Sequence, residues 1–476
     1  MKNLLSVIIS HKHELILIFL VTIYIIYFTT ASFLRYENFY AGRFDLGNMD
    51  QIVWNTAHGR TFQATNENGN TGLRLADHAD FILLFLSPSY FIWEDPRMLL
   101  LIQTIVVAFG AFLVFLIAKK ILKNKNLSLL FSVLFLLNPS LERANLYDFH
   151  GVVLATTFLL AAFYFLFLNK FKWVVFFVIL AGITKEQVWI IIAFIGLYIA
   201  LLKQKKILGF SIFTASVGIF YLLIWHIMPG IKGMNHFALS FYSDFGDSPS
   251  RVVKNIIFSP IQVTKVLFHL NKLEYIYKLF VPIGFISILS PLYLLFALPD
   301  LFINLLSNNG NLHQIDYQYT SAITPFIFIA AIFSLQKLKK KFPNISYSYF
   351  SIYLILAGIY SYYMLSPLPG AKNPNLDMIT KPQEKKELIN FAISQIPENA
   401  SVAATNNLGA HVAHRKVTYT IPLGIDKADI VMFLLNDPFA QPSLQNQKEI
   451  VKQMKKDENY NILFDKDDFI VFKKKS

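Results

Sequence analysis

Long apolar runs separated by short basic clusters form the dominant pattern of this chain. The first run, residues 15–34, has the length of roughly 20 residues that a helix needs to cross a bilayer. Lysine-rich clusters at 119–125, 170–172, 203–206 and 337–341 lie in short intervals between later runs. Because Lys and Arg are retained on the cytoplasmic side of a membrane, these clusters are predicted to be cytoplasmic.

Lys2 and Lys12 precede the first run, so the N-terminus is also predicted to be cytoplasmic and the run to be an uncleaved anchor. The polar intervals that alternate with the basic clusters then lie outside, at 35–97, 142–150, 184–187 and 228–275. Pro291 is expected to break the apolar segment 276–306 into two crossings. The pattern therefore predicts a polytopic α-helical membrane protein with about eleven transmembrane helices.

The composition changes after residue 366, where several Pro and Gly residues follow the last apolar run. An amphipathic helix is predicted at 383–396. Short apolar or alternating runs predict strands at 401–405, 417–420, 429–435, 460–464 and 468–472. We therefore expect residues 1–366 to form the transmembrane domain, and residues 367–476 to form a small extracytoplasmic α/β domain with its C-terminus outside.

The composition supports a membrane protein and excludes several chemistries. Of the 476 residues, 55% are hydrophobic and only 15% are charged, against roughly 25% charged residues in soluble proteins. The chain has no Cys, which excludes disulfides, thiolate catalysis and thiolate metal sites. The net charge of +13 comes from Lys clusters in short loops rather than from a basic stripe interleaved with aromatics, so nucleic acid is not an expected partner.

The first outer segment contains the densest group of ionisable side chains, beginning with RFDLGNMD at 43–50. Asp45 is the preferred general base, because a carboxylate near Arg at a membrane surface can deprotonate an acceptor hydroxyl. The alternative is that Asp45 caps a helix beginning near Leu46. Asp50 follows about 1.5 turns later on the same helix, so it faces elsewhere and is the second choice.

Two short motifs pair imidazole with carboxylate, His78-x-Asp80 and Asp148-x-His150. Such pairs can hold a divalent cation, with Mg²⁺ or Mn²⁺ favoured where carboxylates are numerous. The alternative is a hydrogen-bonded network at helix ends. A divalent-cation site is therefore one of two interpretations of these four residues, and a structural hydrogen-bonded network is the other.

Further polar residues are candidates for binding a substrate. For a phosphate, Arg43 offers a bidentate fork and Lys185 a point charge. Glu186, the neighbour of Lys185, is also a substrate-binding candidate, and the alternative is that the two side chains neutralise each other. The remaining substrate-binding candidates are Trp54, which can stack on a sugar ring, and His313 and Tyr317 from a polar cluster before a late helix.

The chain contains the motifs RFDLGNMDQIVWNTAHGRTF, GLRLADHADFILLFLSPSY, NPSLERANLYDFH and TKEQ. It continues with LSPLYLLFALPDLFINLLS, DYQYTSAITPF and ENASVAATNNLGAHVAHR. Together these motifs resemble an uncharacterised family of prokaryotic multi-pass membrane proteins, domain of unknown function 2079. The resemblance covers nearly the whole chain.

That family is similar in layout to the C-type glycosyltransferases, which use lipid-phosphate-linked sugars and an acidic residue in the first outer loop. The resemblance implies Asp45 in that role, with Asp50 second; their spacing, Asp45-x4-Asp50, departs from the usual acidic pair or Asp-x-Asp. It implies a plasma-membrane glycosyltransferase, embedded among membrane lipids, that moves a sugar from a polyprenyl-phosphate donor to a glycan, lipid or protein acceptor on the outer face. The alternatives are a transporter or flippase of a lipid-linked or anionic solute, and a non-catalytic envelope scaffold.

Overall fold

A computed structural model of the protein describes residues 11–66, 69–234, 236–438 and 440–475. The chain is mostly helical, with a small sheet near its C-terminus. Lys2, which entered the prediction of a cytoplasmic N-terminus, lies outside the described residues. The first predicted apolar run is confirmed as part of the helix Lys12–Glu37.

Within the described residues, four helices are long and apolar enough to cross a membrane: Lys12–Glu37, Arg97–Leu122, Lys206–Lys232 and Tyr347–Leu365. The bent pair Lys125–Leu136 and Pro139–Tyr147 gives a fifth if it is counted as one span. The predicted count of about eleven crossings is therefore not confirmed. Several other predicted crossings are helices that are shorter than a full span.

The remaining helices of eight or more residues before residue 366 are Asn48–Ala57, Gly151–Phe167, Phe171–Gly182, Val188–Leu201, Pro249–Phe258, Pro260–Leu267, Leu270–Phe280, Leu298–Leu306 and Thr324–Lys341. A helix boundary lies at Pro291, where a break was predicted, but the helix that begins there has only four residues. The segment 276–306 is nevertheless divided at several other points into short helical pieces. None of these pieces has the length of a full crossing.

The helix Arg97–Leu122 lies at the centre of the bundle. It packs against Lys12–Glu37, Lys125–Leu136 and Gly151–Phe167, and small buried residues such as Ala111 allow close contact. The end of the first helix and the start of this one are joined by an ion pair of 2.9 Å between Glu37 and Arg97. The polar segment after Glu37 therefore begins at the end of the bundle where Arg97–Leu122 starts.

That polar segment has its own structure. A π-helical turn, Arg43–Gly47, leads into the helix Asn48–Ala57. An antiparallel hairpin follows, formed by β1 (Gln63–Thr65) and β2 (Thr71–Leu73). A compact cluster of buried apolar residues, including Leu46 and Ile52, stabilises the segment against the bundle.

The C-terminal sheet confirms all of the strands predicted from the sequence. These are β3 (Val402–Ala404), β4 (Thr418–Thr420), β5 (Ile430–Leu434), β6 (Tyr460–Lys466) and β7 (Phe469–Lys474). Their order is β4-β3-β5-β7-β6, with β3 parallel to both β4 and β5 and with β7 antiparallel to β5 and β6.

Helices cover both faces of this sheet. Along β5, Met432 packs on the side of the helix Lys386–Ser394 and Val431 on the side of the helix Leu444–Met454. Successive strand residues point to opposite faces, so the continuous apolar run of β5 is what a strand buried on both sides requires. The C-terminal part is therefore a small α/β unit.

The C-terminal unit docks on the segment that follows the first helix. The guanidinium of buried Arg43 donates to the Gln51 side chain at 2.7 Å. It also donates to the carbonyl oxygens of Thr65 and Thr418. Gly409 lies so close that a Cβ there would be 2.2 Å from the Arg43 Cβ. The two parts of the chain are thus joined by a contact that only glycine permits at position 409.

His411 makes this docking sensitive to pH. Its ring stacks on Tyr36 with centroids 4.1 Å apart, and its Nε2 bonds to the Tyr36 carbonyl oxygen at 2.9 Å. Burial lowers the pKa of His411 from 6.5 to about 3; Arg97 and Lys386 act in the same direction, and Asp95 opposes them. An undocked His411 takes up a proton below pH 6.5, whereas the docked one resists until about pH 3. Docking is therefore expected to weaken as the pH falls from 7 towards 4.

Hydrogen exchange of residues 402–412 at pH 7 and pH 5 measures this effect, after correction for the intrinsic rate. The variant His411→Phe keeps the stacking without a titrating group, so its protection is expected to lose the acid-dependent decrease. Burial opposes protonation of His414, but the charge of Asp50 raises the pKa of that group. Protonation of His414 therefore favours docking at low pH, opposite to His411, and this effect remains in His411→Phe. Equal protection of the wild type at both pH values would contradict the role of His411.

Candidate functional site

A cavity of about 620 Å³ lies at the end of the bundle from which the polar segment emerges. The polar part of its wall includes Asp45, Arg74, His78, His150, Lys185 and Glu186. The apolar part includes Phe220, Ile224, Trp225, Val252, Ile256 and Phe302. The volume is within the range of small-molecule sites, and the divided wall suits a ligand with one polar and one apolar end.

Asp45 lies on the polar wall, in the turn Arg43–Gly47. One carboxylate oxygen contacts His150 Nε2 at 3.0 Å, and the other accepts from the Tyr147 hydroxyl at 3.0 Å. Burial raises the pKa of Asp45, but the hydrogen bond and charge of His150, with the Tyr147 hydroxyl, outweigh burial and hold the pKa below 3.8. The carboxylate is therefore ionised at neutral pH, the state that a general base requires.

The helix-capping alternative for Asp45 is wrong. The helix begins at Asn48, and its N-cap residue is Gly47, which makes no side-chain capping bond. The neighbouring backbone is held from the C-terminal unit instead, because the Asn406 side-chain oxygen accepts from the Phe44 N–H at 3.2 Å. The Asp45 carboxylate is thus directed towards His150 and away from the helix start.

Asp50, the second candidate base, is fully buried and does not line the cavity. One of its oxygens accepts from the Tyr90 hydroxyl at 2.5 Å and contacts His414 Nε2 at 2.8 Å. These contacts join the polar segment to the C-terminal unit. The structure therefore gives Asp50 a role in holding the two parts together, which supports the order Asp45 before Asp50.

Lys185 and Glu186 form the turn between the helices Phe171–Gly182 and Val188–Leu201, and both line the cavity. The Glu186 carboxylate contacts His78 Nδ1 at 3.0 Å and accepts from the Ala79 N–H at 3.0 Å. Burial raises the pKa of Glu186, but the charges of His78 and Lys185 and the backbone donor lower it below its usual value.

Lys185 has a different environment from its neighbour. Its Nζ lies 5.6 Å from the centre of the Tyr319 ring. No hydrogen bond or ion pair to this ammonium group occurs in the part of the chain that the structure describes. Because the direct partner of Glu186 is His78, the predicted mutual neutralisation is incomplete, and Lys185 can attract an anion in the cavity.

The two motifs predicted as a metal site are used in separate contacts. Asp80 pairs with Arg74 at 3.0 Å, and Asp148 pairs with Arg35 at 3.5 Å. The two histidines contact other carboxylates, as described above. Among the described residues, no group of three or more His, Asp or Glu side chains is arranged to hold a metal ion. The contacts of these four residues therefore form a hydrogen-bonded network, the alternative predicted for them.

Arg43 and Trp54 do not line the cavity. The docking contact with the C-terminal unit already uses the Arg43 guanidinium. Trp54 Nε1 donates to Glu94 at 2.7 Å, and its ring lies against the rings of His58 and His414. The structure therefore removes Arg43 as a phosphate ligand and Trp54 as a sugar platform in this cavity, because tertiary contacts hold both elsewhere.

His313 and Tyr317 also lie outside the cavity wall. His313 Nδ1 accepts from Lys272 Nζ at 3.1 Å. Burial, with the neighbouring charge of Lys272, lowers the pKa of His313 to about 4. The Tyr317 ring packs edge-on against the Tyr147 ring at 5.0 Å. Tyr317 thus supports a residue that contacts Asp45, whereas His313 belongs to a separate buried pair.

The cavity residues without a role in the predicted site include Arg74, His236 and Tyr319. His236 Nδ1 accepts from the Ala238 N–H at 3.2 Å, so its Nε2 carries the hydrogen of the neutral ring. That Nε2 is buried and has no hydrogen-bond partner among the described residues. Tyr319 lies in the motif DYQYTSAITPF, which could have indicated it, whereas no motif marks His236, which only the fold brings to the first polar segment.

The comparison with known families identifies the family of this chain. The sequence profile of one family, described as predicted membrane protein (DUF2079), matches residues 35–471. The chain belongs to this family. The DUF2079 match includes the polar segment, the cavity walls and the C-terminal sheet as far as the first half of β7, and it confirms the family resemblance seen in the motifs. None of the curated proteins matches the chain.

Proposed function

We propose that this DUF2079 protein is an integral membrane glycosyltransferase that uses a polyprenyl-phosphate-linked sugar. The observation that carries the proposal is the Asp45 carboxylate, which contacts His150 and Tyr147 on the polar wall of a cavity whose other wall is apolar. A lipid-linked sugar has the same division, with an isoprenoid chain at one end and a phosphate and sugar at the other. The likeness in layout to C-type glycosyltransferases supports the same reading.

In the proposed reaction, Asp45 accepts the proton of an acceptor hydroxyl. The hydroxyl oxygen forms a bond to the anomeric carbon while the bond between that carbon and the phosphate oxygen breaks, and polyprenyl phosphate leaves with the bonding electrons. His150 and the Tyr147 hydroxyl orient the Asp45 carboxylate. The acceptor is a glycan, a lipid or a protein.

Lys185 and His236 are the proposed phosphate ligands. Both residues line the cavity. Among the described residues, the Lys185 ammonium group has no hydrogen bond or ion pair, and the buried Nε2 of His236 is a donor without an acceptor. A charged donor and a neutral donor together can bind two phosphate oxygens. Lys185 keeps the role of phosphate ligand that the sequence predicted, and His236 takes the place of Arg43 as the second ligand.

The proposed topology follows from the lysine distribution and uses about eleven crossings in the plasma membrane. Helices shorter than a full span would cross by tilting or within the bundle. The N-terminus is then cytoplasmic, and the cavity and the C-terminal unit lie on the outer face. The donor and the acceptor would meet outside the cell.

The donor class is tested by identifying the lipids that purify with the protein. Mass spectrometry of protein in nanodiscs made directly from its host membranes is expected to detect a polyprenyl-phosphate sugar. Because a hydrogen bond to a charged group contributes about 1.5–3 kcal/mol, Lys185→Gln should weaken its retention roughly 10- to 100-fold, and Lys185→Arg should preserve most of it. Lys456→Gln, at an exposed position far from the cavity in sequence, is the matched control.

The same measurement separates a scaffold from the other two functions. A transporter or flippase would also retain the lipid, and it is distinguished by leaving the bond between sugar and phosphate intact in a turnover assay. A scaffold would retain no isoprenoid lipid above the level of the surrounding membrane. Equal retention by the wild type and Lys185→Gln would remove Lys185 from the proposed site.

A further inference from the structure

The segment between residues 249 and 280, which we call the amphipathic segment, exposes an unusual amount of apolar surface. It consists of the helices Pro249–Phe258, Pro260–Leu267 and Leu270–Phe280. Its large exposed side chains include Phe258, Ile261, Phe268 and Leu270, each between 68% and 77% exposed. A water-facing surface would not concentrate such residues on consecutive short helices.

One apolar stripe of the first helix reaches from the cavity to this exposed surface. Pro249, Val252, Val253 and Ile256 line the cavity, at the spacing i, i+3, i+4, i+7 that places residues on one helix face. Ile257 lies beside Val253 on the same helix but is 63% exposed. The helix is therefore a thin wall between the cavity and whatever covers the segment.

The charge of the segment indicates what covers it. It contains five basic residues, Arg251, Lys254, Lys265, Lys272 and Lys278, and one acid, Glu274. Lys254 and Lys265 are exposed. Exposed apolar side chains interleaved with Lys are the composition of helices that lie in the surface of an anionic bilayer.

The neighbouring membrane helix leads to the same surface. The candidate span Lys206–Lys232 contributes Phe220, Ile224 and Trp225 to the cavity and exposes Tyr221 and Leu222 next to them. The amphipathic segment forms another part of that cavity wall. The candidate membrane span and the amphipathic segment therefore both line this cavity, and both expose apolar side chains beside it.

We propose that the amphipathic segment lies flat in the membrane surface. Phe258, Ile261 and Leu270 insert between lipid chains, and Lys254 and Lys265 contact anionic headgroups. The cavity is then closed on this side by a wall embedded in lipid, so its ligand reaches the polar end from within the bilayer. This placement does not depend on sugar transfer and holds for any lipid-borne ligand.

The chain has no Cys, so a single introduced cysteine can be spin-labelled at a chosen site. The test uses Phe258→Cys, Ile261→Cys and Leu270→Cys of the full chain, in nanodiscs of phosphatidylcholine and phosphatidylglycerol at 3:1. Controls are Leu463→Cys, an apolar position 54% exposed on β6, and Lys456→Cys. Collision rates with O2, which dissolves in lipid, and with a water-soluble nickel chelate give the depth of each label. Variants are compared only if they elute as the wild type does in size-exclusion chromatography.

The labels at 258, 261 and 270 are expected to collide several-fold more with O2 than with the nickel chelate, and the controls to show the reverse. Nickel access at the three positions equal to that of the controls would overturn the proposal. Protection from both reagents that appears only when two copies share a nanodisc would also overturn it, since a second copy would then cover the segment. None of these results depends on detecting a glycosyl product.

Discussion

Asp45→Asn is expected to lower the rate of sugar transfer about 10²- to 10⁴-fold, the usual contribution of a general base. The amide has nearly the shape of the carboxylate but cannot accept the proton of the acceptor hydroxyl. The donor should still bind, because Lys185 and His236 are unchanged, so kcat falls more than KM rises. Turnover of polyprenyl-phosphate sugars by protein in nanodiscs measures the effect.

The matched control is Asp247→Asn, which changes an exposed acid whose ion pair with Arg251 lies on the surface. This variant is expected to retain wild-type turnover. A second comparison uses His150→Gln, which removes the group that orients Asp45, and should act through kcat and shift the acid limb of the pH profile. Wild-type turnover by Asp45→Asn, in protein that elutes normally, would remove Asp45 from the reaction.

Asp50→Ala is expected to destabilise the folded protein by about 3 kcal/mol without altering the chemistry directly. The change leaves the buried Tyr90 hydroxyl without its acceptor and separates His414 from its carboxylate. It also removes the negative charge that opposes the effect of burial on the pKa of Arg43, which is lowered to about 10. Urea unfolding in detergent, followed by Trp fluorescence, measures the loss.

Asp50→Asn is the informative companion because it keeps an acceptor for Tyr90 and loses only the charge. Its destabilisation should be smaller, about 1 kcal/mol. Transfer by folded Asp50→Asn should remain close to that of the wild type. If Asp50→Asn abolished transfer and Asp45→Asn did not, the order of the two carboxylates would be reversed.

Local structure was largely predictable from the sequence. The apolar run 15–34 and its flanking charges predicted the helix Lys12–Glu37. The C-terminal strands followed from short apolar runs bounded by polar residues, because a small sheet covered on both faces needs that pattern. The number of membrane crossings was harder to predict from the sequence, because helices such as Phe171–Gly182 are shorter than a full span.

Side-chain partners could not be predicted, because they join distant parts of the chain. Asp45 and Lys185 were recognised as cavity candidates from residue type and position alone. Arg43 looked like a phosphate ligand until the docking of Thr418 and Gly409 showed that the C-terminal unit uses it. His236 carried no sequence signal, since its importance lies in a buried Nε2 that the fold leaves without a partner among the described residues.

The central claim is that Asp45 activates an acceptor for transfer of a lipid-phosphate-linked sugar. The most direct measurement follows the donor lipid itself by mass spectrometry, in nanodiscs made directly from host membranes so that lipid, glycan and protein acceptors are present, before and after addition of wild-type protein or Asp45→Asn. The wild type should convert the polyprenyl-phosphate sugar to polyprenyl phosphate with an equal amount of glycosylated product, and Asp45→Asn should leave the donor intact. Loss of the donor at the same rate with both proteins, or no cleavage by the wild type, would contradict the claim.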